Sequence, residues 1–459
     1  MNRKAFLKKS AVAAGGVYFL PQFLLSCKKE SPFEDLKFNG TVGIVGAGAA
    51  GLYAAYLLRK SGIPVEVFEA SDKIGGRIRT LEGFADFPID LGAEEIHGER
   101  SLWYDAVREA APEFITADLE DIYFFNGVKY TGSEFENSPE YAQVSAIIDA
   151  IAEYNGSDIS ALAYANVQQL PEDLIPFFNA WVGNENGTDI SRIGMAGLAQ
   201  AEREWTAGEE NLMMRNRDTL SVLLELFAIA IPSVKLNTPI TNINYEGGKV
   251  VLTDNEGNTY MKDRVIVTSS VKVLFDQLIE FVPSLPSLHL QAISNIGMGA
   301  GFKLILKFEE PFWPANTGSI YIPGPVPEFW ATGDGGRSAA NNVLTAFVHG
   351  SYAEALLQSP STMIEAILDQ LDDCFGGITA SSRYVDHYLM NWTAQPYIRG
   401  TYSYPIPGTS NDARALLSEP VRDKIYFAGE ACARNGHHGT VHGALESAFF
   451  AIQQLVQTP

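Results

Sequence analysis

Gly46, Gly48 and Gly51 sit on one short turn, Gly46-Ala47-Gly48-Ala49-Ala50-Gly51, and Glu69 closes the next apolar run. That spacing suits a dinucleotide. Gly46 permits a tight turn, Gly48 lets backbone N–H groups approach a pyrophosphate, and Gly51 lets a helix pack close to a strand. Glu69 stands where a carboxylate accepts hydrogen bonds from a ribose. A second glycine turn, Gly75-Gly76-Arg77-Ile78-Arg79-Thr80, carries two arginines. A domain binding NAD alone has no need of it, whereas a larger, more deeply held dinucleotide such as FAD needs more of its pyrophosphate charge neutralised. The plainer reading of Arg77 and Arg79 is solvated surface charge. Glu94 and Glu95 form an acidic pair just before His97. Carboxylates there could bind an ammonium group; the alternatives are solvent-facing acids and a packed, hydrogen-bonded histidine. Lys303 interrupts an apolar run, and Lys307 shares its face at period two, so a solvated lysine face is the competing reading.

The elements that must position these residues follow from the pattern. Val42 to Val45 reads as a strand, a helical run follows and stops at Gly62, and Val65 to Phe68 reads as a second strand, which completes a βαβ unit. The turn Asp254-Asn255-Glu256-Gly257 lies between short strands ending in Arg264 to Thr268, a β-meander returning to the parallel sheet. Ile425 to Phe427 runs as a strand into Ala428-Gly429-Glu430, and the helix beginning near Gly439 puts Val441, Ala444, Leu445, Ala448, Ile452 and Leu455 on one apolar face. The expected fold class is α/β, with α+β character in a second domain. A GxGxxG Rossmann-like domain is assembled from segments 39–91, 220–281 and 401–459. Segments 92–219 and 282–400 form a mixed sheet-and-helix substrate domain, with helical patterns at Ser145 to Tyr154 and Thr219 to Ile229 and strands at Phe302 to Phe308 and Val343 to Val348.

Further runs give these motifs a joint meaning: Leu91-Gly92-Ala93-Glu94-Glu95-Ile96-His97-Gly98, the Lys303 strand through Pro311-Phe312-Trp313, the stretch from Trp392 to Tyr404, Gly429-Glu430, and Thr440-Val441-His442-Gly443-Ala444. Together they resemble the flavin-containing amine oxidase superfamily, which includes monoamine and polyamine oxidases, L-amino-acid oxidases and lysine-specific histone demethylases. The motifs are most similar to those of polyamine oxidases. The resemblance implies that Gly46, Gly48, Gly51, Glu69, Gly76, Arg77, Ile240, Glu430 and the Val441 backbone N–H hold FAD. Ile240 lies at the adenine, and Val441 at the flavin pyrimidine. It implies that Lys303 reaches flavin N5 through water, and that Tyr402 is one wall of an aromatic cage, with Trp392 in the same motif. Thr440 stands where the second wall is often tyrosine. Thr401 stands where monoamine oxidases carry the cysteine that attaches the flavin, so FAD is expected to be non-covalent. Glu94, Glu95 and His97 are the candidate substrate contacts.

The implied function is FAD-dependent amine oxidation. Hydride passes from the α-carbon of a primary or secondary amine, polyamines included, to flavin N5; the imine hydrolyses, and O2 or another acceptor is reduced, giving H2O2 in the case of O2. One alternative is an L-amino-acid oxidase of the same fold. It needs a cation for the carboxylate; Glu95 stands where such enzymes carry arginine, and Arg399 is the substitute. The other is a flavoprotein without oxidase activity.

The chain has 459 residues and a formal net charge of −22. Nucleic acid is excluded as a partner, since phosphate binding needs a basic face, whereas an acidic field gathers protonated amines. The segment 1–38 reads as targeting and linker: a basic start at Arg3 to Lys9, an apolar run Ala11 to Leu25, and Leu24-Leu25-Ser26-Cys27, which resembles a bacterial lipobox with Cys27 as the lipidated residue. The basic start also resembles a twin-arginine signal with lysine in place of the second arginine. The protein is therefore expected to be exported to the periplasm or cell envelope, touching membrane only through that anchor. Cys27, Cys374 and Cys432 show neither a disulfide framework nor metal spacing. Nothing in the sequence sets the oligomeric state.

Overall fold

The computed structural model describes residues 38–457, apart from residues 112, 117–118 and 410–411; the targeting segment and Cys27 lie outside the described residues. Val42–Val45 is buried along its whole length, as a strand covered on both faces must be. It pairs in parallel with Val65–Phe68 on one side and Arg264–Val267 on the other. Val234–Lys235 and Ile425–Phe427 extend the sheet at its two edges, so one parallel sheet draws on three distant parts of the chain. The helix Ala49–Lys60 is built from strong helix formers and carries Arg59 and Lys60 in its last turn, where cations complement the carbonyl end. Gly62, at φ 72°, terminates it. The meander Ile240–Asn244, Val250–Asp254, Thr259–Lys262 feeds directly into Arg264–Val267, and Glu280–Val282 joins it in parallel.

A second, wide sheet lies beyond. Among the described residues its strand order is Tyr384–Asn391, Gly301–Phe308, Val343–His349, Glu328–Ala331, Thr317–Tyr321, Glu120–Phe125, Val128–Thr131. Its pairings are antiparallel except that of Thr317–Tyr321 with Glu120–Phe125. A strand pair, Ile296–Met298 with Ser403–Pro405, ties the two regions together.

Packing adds to what the pattern suggested. The core under the parallel sheet also takes in helix Leu102–Ala110, which drives Trp103, Ala106 and Val107 into it, and Leu212 and Met214 join them. The helix expected at Ser145 to Tyr154 begins earlier, at Pro139, because Ser138 caps it and proline suits the first turn, and it stops at Asp149. The last helix, Val441–Gln457, does more than bury one face. Every residue from Val441 to Phe449 is buried, which is tolerated because Glu446 bonds His437 Nδ1 at 2.8 Å and Ser447 Oγ bonds Gly429. Finally, Lys303 and Lys307 do share a strand face, but that face is covered rather than solvated. Lys307 Nζ donates to Phe84 O at 2.8 Å and Lys303 Nζ to Asp90 O at 3.1 Å, both on the segment leading into the acidic pair.

Candidate active site

One continuous cavity of ≈ 1270 Å³ runs between the two sheets, from the Gly46–Gly51 turn to Glu328 on the wide sheet. This exceeds the roughly 300–1,000 Å³ of a drug-sized ligand site and leaves room for a dinucleotide and a second molecule. At its first end Gly46 adopts φ 107°, and a Cβ on Gly51 would lie 2.0 Å from Gly46 O. Gly48 differs: its Cβ would meet no protein atom closer than 3.8 Å, the Cα of Gly76, so only an occupant of the cavity requires glycine there. Glu69 Oε2 accepts the Ala47 N–H at 2.7 Å and Oε1 the Ser71 N–H at 2.9 Å, which fixes the turn beneath the carboxylate. Ile240 is buried at the start of its strand and lines the cavity.

Arg77 lines the cavity and is tied to the far segment of the chain. Its Nη1 bonds Glu430 Oε1 at 2.8 Å and Thr401 O at 2.7 Å. Arg79 lines the cavity and donates to Ile74 O at 3.1 Å. Glu430 gathers three strands of chain, since its Oε2 also accepts from Ser403 Oγ at 2.6 Å and Gly439 N at 2.9 Å. Burial would raise its carboxyl, but the neighbouring Arg77 and Arg414 charges and the Ser403 hydroxyl outweigh that and hold it below its usual range.

Thr440 lines the cavity at the start of the last helix. Its hydroxyl donates to His437 O at 2.7 Å and accepts from Gly443 N at 3.0 Å, so it caps the last helix. The first-turn N–H groups of that helix, Val441 among them, have no acceptor within the helix, and Val441 lines the cavity. The cap thus aims a partial positive charge at whatever occupies the space.

The middle of the cavity is aromatic. Trp392 is buried and donates Nε1–H to Leu91 O at 3.0 Å. Tyr402 donates its hydroxyl to Glu185 O at 2.9 Å, and its ring passes Gly187 so closely that a Cβ there would lie 2.7 Å from Cε2. Facing it are His349, with ring centroid 5.4 Å from that of Tyr402, then Phe347 and Trp330. Burial, with the Lys303 charge adding to it, drives the His349 pKa down to about 3, so this ring is neutral. Sequence reading missed His349, Phe347 and Trp330, though the period-two placing of Phe347 and His349 in one strand was an available signal.

Lys303, buried, donates to Glu94 Oε2 at 3.0 Å as well as to Asp90 O, with its Nζ 4.9 Å from the Trp330 ring centroid. Glu94 is therefore not an ammonium ligand for a substrate: its other oxygen accepts from Arg337 Nη1 at 2.7 Å, and both oxygens are committed. Glu95 and His97 do line the cavity. His97 Nδ1 lies 2.9 Å from Asn211 Oδ1 and 3.7 Å from Glu95 Oε2.

The far end is acidic. Glu95, Glu185, Glu328 and Asp121 all line it, and Ser319 Oγ donates to Glu328 Oε1 at 2.8 Å. Burial, then the adjacent Glu185, push the Glu328 carboxyl well above its usual range. Two carboxyls so placed cannot both ionise without a cation between them. Arg399, the expected carboxylate partner, is not among the lining residues and bonds Asp276 Oδ2 at 2.6 Å.

Residues 49–455 match the family model described as flavin-containing amine oxidoreductase. Polyamine oxidase 4 of Oryza sativa subsp. japonica is 26% identical over 459 residues, covering 90% of this chain and 88% of its own. Among solved structures, cyclohexylamine oxidase from Brevibacterium oxydans IH-35A superposes with TM-score 0.78 at 21% identity, over 92% of this chain and 99% of that one. A wild-type putrescine oxidase bound to putrescine gives TM-score 0.77 at 20% identity, over 91% and 99%.

Proposed function

The chain belongs to the family of flavin-containing amine oxidoreductases, and from that premise we propose that it oxidises diamines or polyamines. It is a FAD-dependent oxidoreductase acting on CH–NH or CH–NH2 groups. The residues present fit the cofactor: the Gly48 position tolerates a side chain from the protein but leaves that space to the cavity, and a capped helix start faces the same space. Gly46, Gly48, Gly51, Glu69, Gly76, Arg77, Ile240, Glu430 and the Val441 N–H would hold it. With Thr401 in the position of the attaching cysteine, binding is non-covalent. When bound, FAD supplies the electron sink, taking hydride from the amine α-carbon at N5 and passing the electrons to O2.

The observation that carries the substrate class is the acidic far end. Tyr402 and Trp392 exclude water from the reacting C–N bond and orient it beside Lys303. Glu185 and Glu328, at the opposite end of the aromatic stretch, would receive a second ammonium group. A monoamine brings no second ammonium group to that end. An α-carboxylate finds acids there rather than a cation, which disfavours amino acids.

The test is peroxide release with putrescine, spermidine, benzylamine and several amino acids, on the wild type and Glu328→Gln. Putrescine or spermidine should be preferred, and Glu328→Gln should raise their KM by about ten- to hundredfold, the worth of a charged hydrogen bond, while leaving benzylamine unchanged. A wild type that prefers benzylamine or an amino acid contradicts the reading. We also take the protein to be exported and held at the cell envelope by a lipid on Cys27. A Cys27→Ala variant should move from the membrane fraction to the soluble one; an unchanged distribution counts against the anchor.

A further inference from the structure

Lys303 does not meet the cavity alone. It forms one end of a buried chain of charges that crosses from the wide sheet to the segment after the second glycine turn. Glu94 joins Lys303 to Arg337, and the Arg337 side chain is 3% exposed. Arg337 Nη2 reaches Pro88 O at 3.4 Å and lies 3.8 Å from Asp90 Oδ2, with its guanidinium 5.2 Å from the Phe87 ring centroid. The loop that carries it is docked onto the same segment: Ser338 Oγ and the Ala339 N–H both bond Asp86, at 2.6 and 3.0 Å, and Arg215 Nη1 holds Gly335 O. Asp86, Pro88 O, Asp90 and Glu94, the four polar partners that Lys303 and the Arg337 loop find here, therefore all sit on residues 86–94, and the loop clamps them against the strand bearing Lys303.

The arithmetic of donors gives the chain its purpose. A lysine ammonium has three N–H donors. Asp90 O and Glu94 Oε2 take two, which leaves one direction for the cavity that Lys303 lines. A lysine side chain is long and flexible, so one acceptor would fix its distance without fixing its orientation. Glu94 would in turn be free to swing were its second oxygen not held by Arg337. Burial alone would raise the Glu94 carboxyl, but the Lys303 and Arg337 charges outweigh it and hold it below its usual range, so it is an anion between two cations.

We propose that Glu94 and Arg337 are positioning residues that act through Lys303, fixing the direction of its remaining N–H toward the reacting end of the cavity. The inference rests on the reading of Lys303 as a residue at that end. It assigns to Glu94 and to the Arg337 loop, neither of which need touch substrate, a share in the rate of the reaction and none in substrate affinity.

The test uses the FAD-loaded protein and four variants: Lys303→Met, Glu94→Gln, the two combined, and Glu94→Gln/Arg337→Met. The last removes one charge of each sign, so that the net charge of the buried cluster is unchanged, and flavin content checks that each variant folds. The readouts are flavin content, the visible absorption envelope of the bound flavin, and kcat and KM for putrescine. Flavin content should be retained. Glu94→Gln and the Glu94/Arg337 pair should alter the absorption envelope in the same sense as Lys303→Met. They should lower kcat between about tenfold and a hundredfold, the scale of a misplaced group, with KM within about twofold. Lys303→Met combined with Glu94→Gln should be no slower than Lys303→Met alone, because a residue that acts only through Lys303 has nothing left to position once Lys303 is gone. Losses that multiply, or an envelope and kcat untouched by removing Glu94 and Arg337 while Lys303→Met is slow, overturn the inference alone. Wild-type kcat in Lys303→Met overturns it together with the reading on which it rests.

Discussion

At the scale of single residues, the chemistry lies in which buried charges are matched and which are not. Glu94 and Glu430 are each held between two cations, which keep their carboxyls below the usual range, whereas burial and the adjacent Glu185 push that of Glu328 well above it. This contrast separates acids matched by the protein's own cations from an acid that a bound cation would stabilise as an anion. His349 gives a check on the burial argument that is independent of turnover. Its folded pKa is pushed down to about 3, whereas an unfolded histidine takes up a proton near 6.5. The unfolded chain therefore binds the extra proton between those values, and stability, complete above 6.5, is lost as pH falls toward 3. In His349→Gln the fall in stability between pH 6.5 and 4 should be shallower, as measured by denaturant unfolding; an unchanged slope contradicts a neutral, buried His349. Legibility at this scale was partial. Glu94 stood out as an acid, but its partners could not be read, because Lys303 and Arg337 are hundreds of positions away and Arg337 lies in a loop without pattern. Glu185 and Glu328 gave no local signal, since an acid in a strand reads as a solvated one until the fold covers it.

At the scale of elements, the turn from Val42–Val45 into Ala49–Lys60 carries the sharpest expectation. Gly48 and Gly51 are both glycines of one motif, yet only Gly51 is required by the protein itself. Gly51→Ala forces Cβ to within 2.0 Å of Gly46 O and should lower the Tm of the apoprotein as well as FAD affinity. Gly48→Ala has 3.8 Å of clearance, so the apoprotein Tm should hold while FAD affinity drops. Thermal unfolding of both apoproteins and FAD titration decide it; a Gly48→Ala protein that binds FAD like the wild type contradicts the cradle. This βαβ unit was legible because strand, turn and helix lie within one short window. The last helix was legible as a helix but not as an enclosed one. Its burial on all sides depends on the Glu446–His437 bond, and no periodicity reports a polar residue satisfied by tertiary contact. Thr440 was legible by position, and its capping bonds to His437 O and Gly443 N add a role that the motif did not report.

At the scale of the whole molecule, two sheets share one elongated space, and the chain crosses between them repeatedly. The parallel sheet was legible from its apolar strands and glycine punctuation. Helix Leu102–Ala110 falls within the segment assigned to the substrate side, and its apolar face packs into the core beneath the last helix, a contact that no local pattern announces. The division of labour is nonetheless plain. The parallel sheet and its two helices build a cradle with a positive helix end, and the wide sheet contributes Lys303, the aromatic residues and the acidic terminus. The net charge of −22 has the sign that gathers cationic substrates at this opening. All of this converges on one claim, that the cavity presents a cationic amine to bound FAD. The most direct measurement is the visible spectrum of the FAD-loaded protein titrated with putrescine in the absence of O2. The flavin absorption should bleach to completion at one equivalent of amine per flavin, and return on admission of O2. A protein that takes up no FAD, or whose yellow colour survives putrescine, spermidine and benzylamine alike, would contradict it.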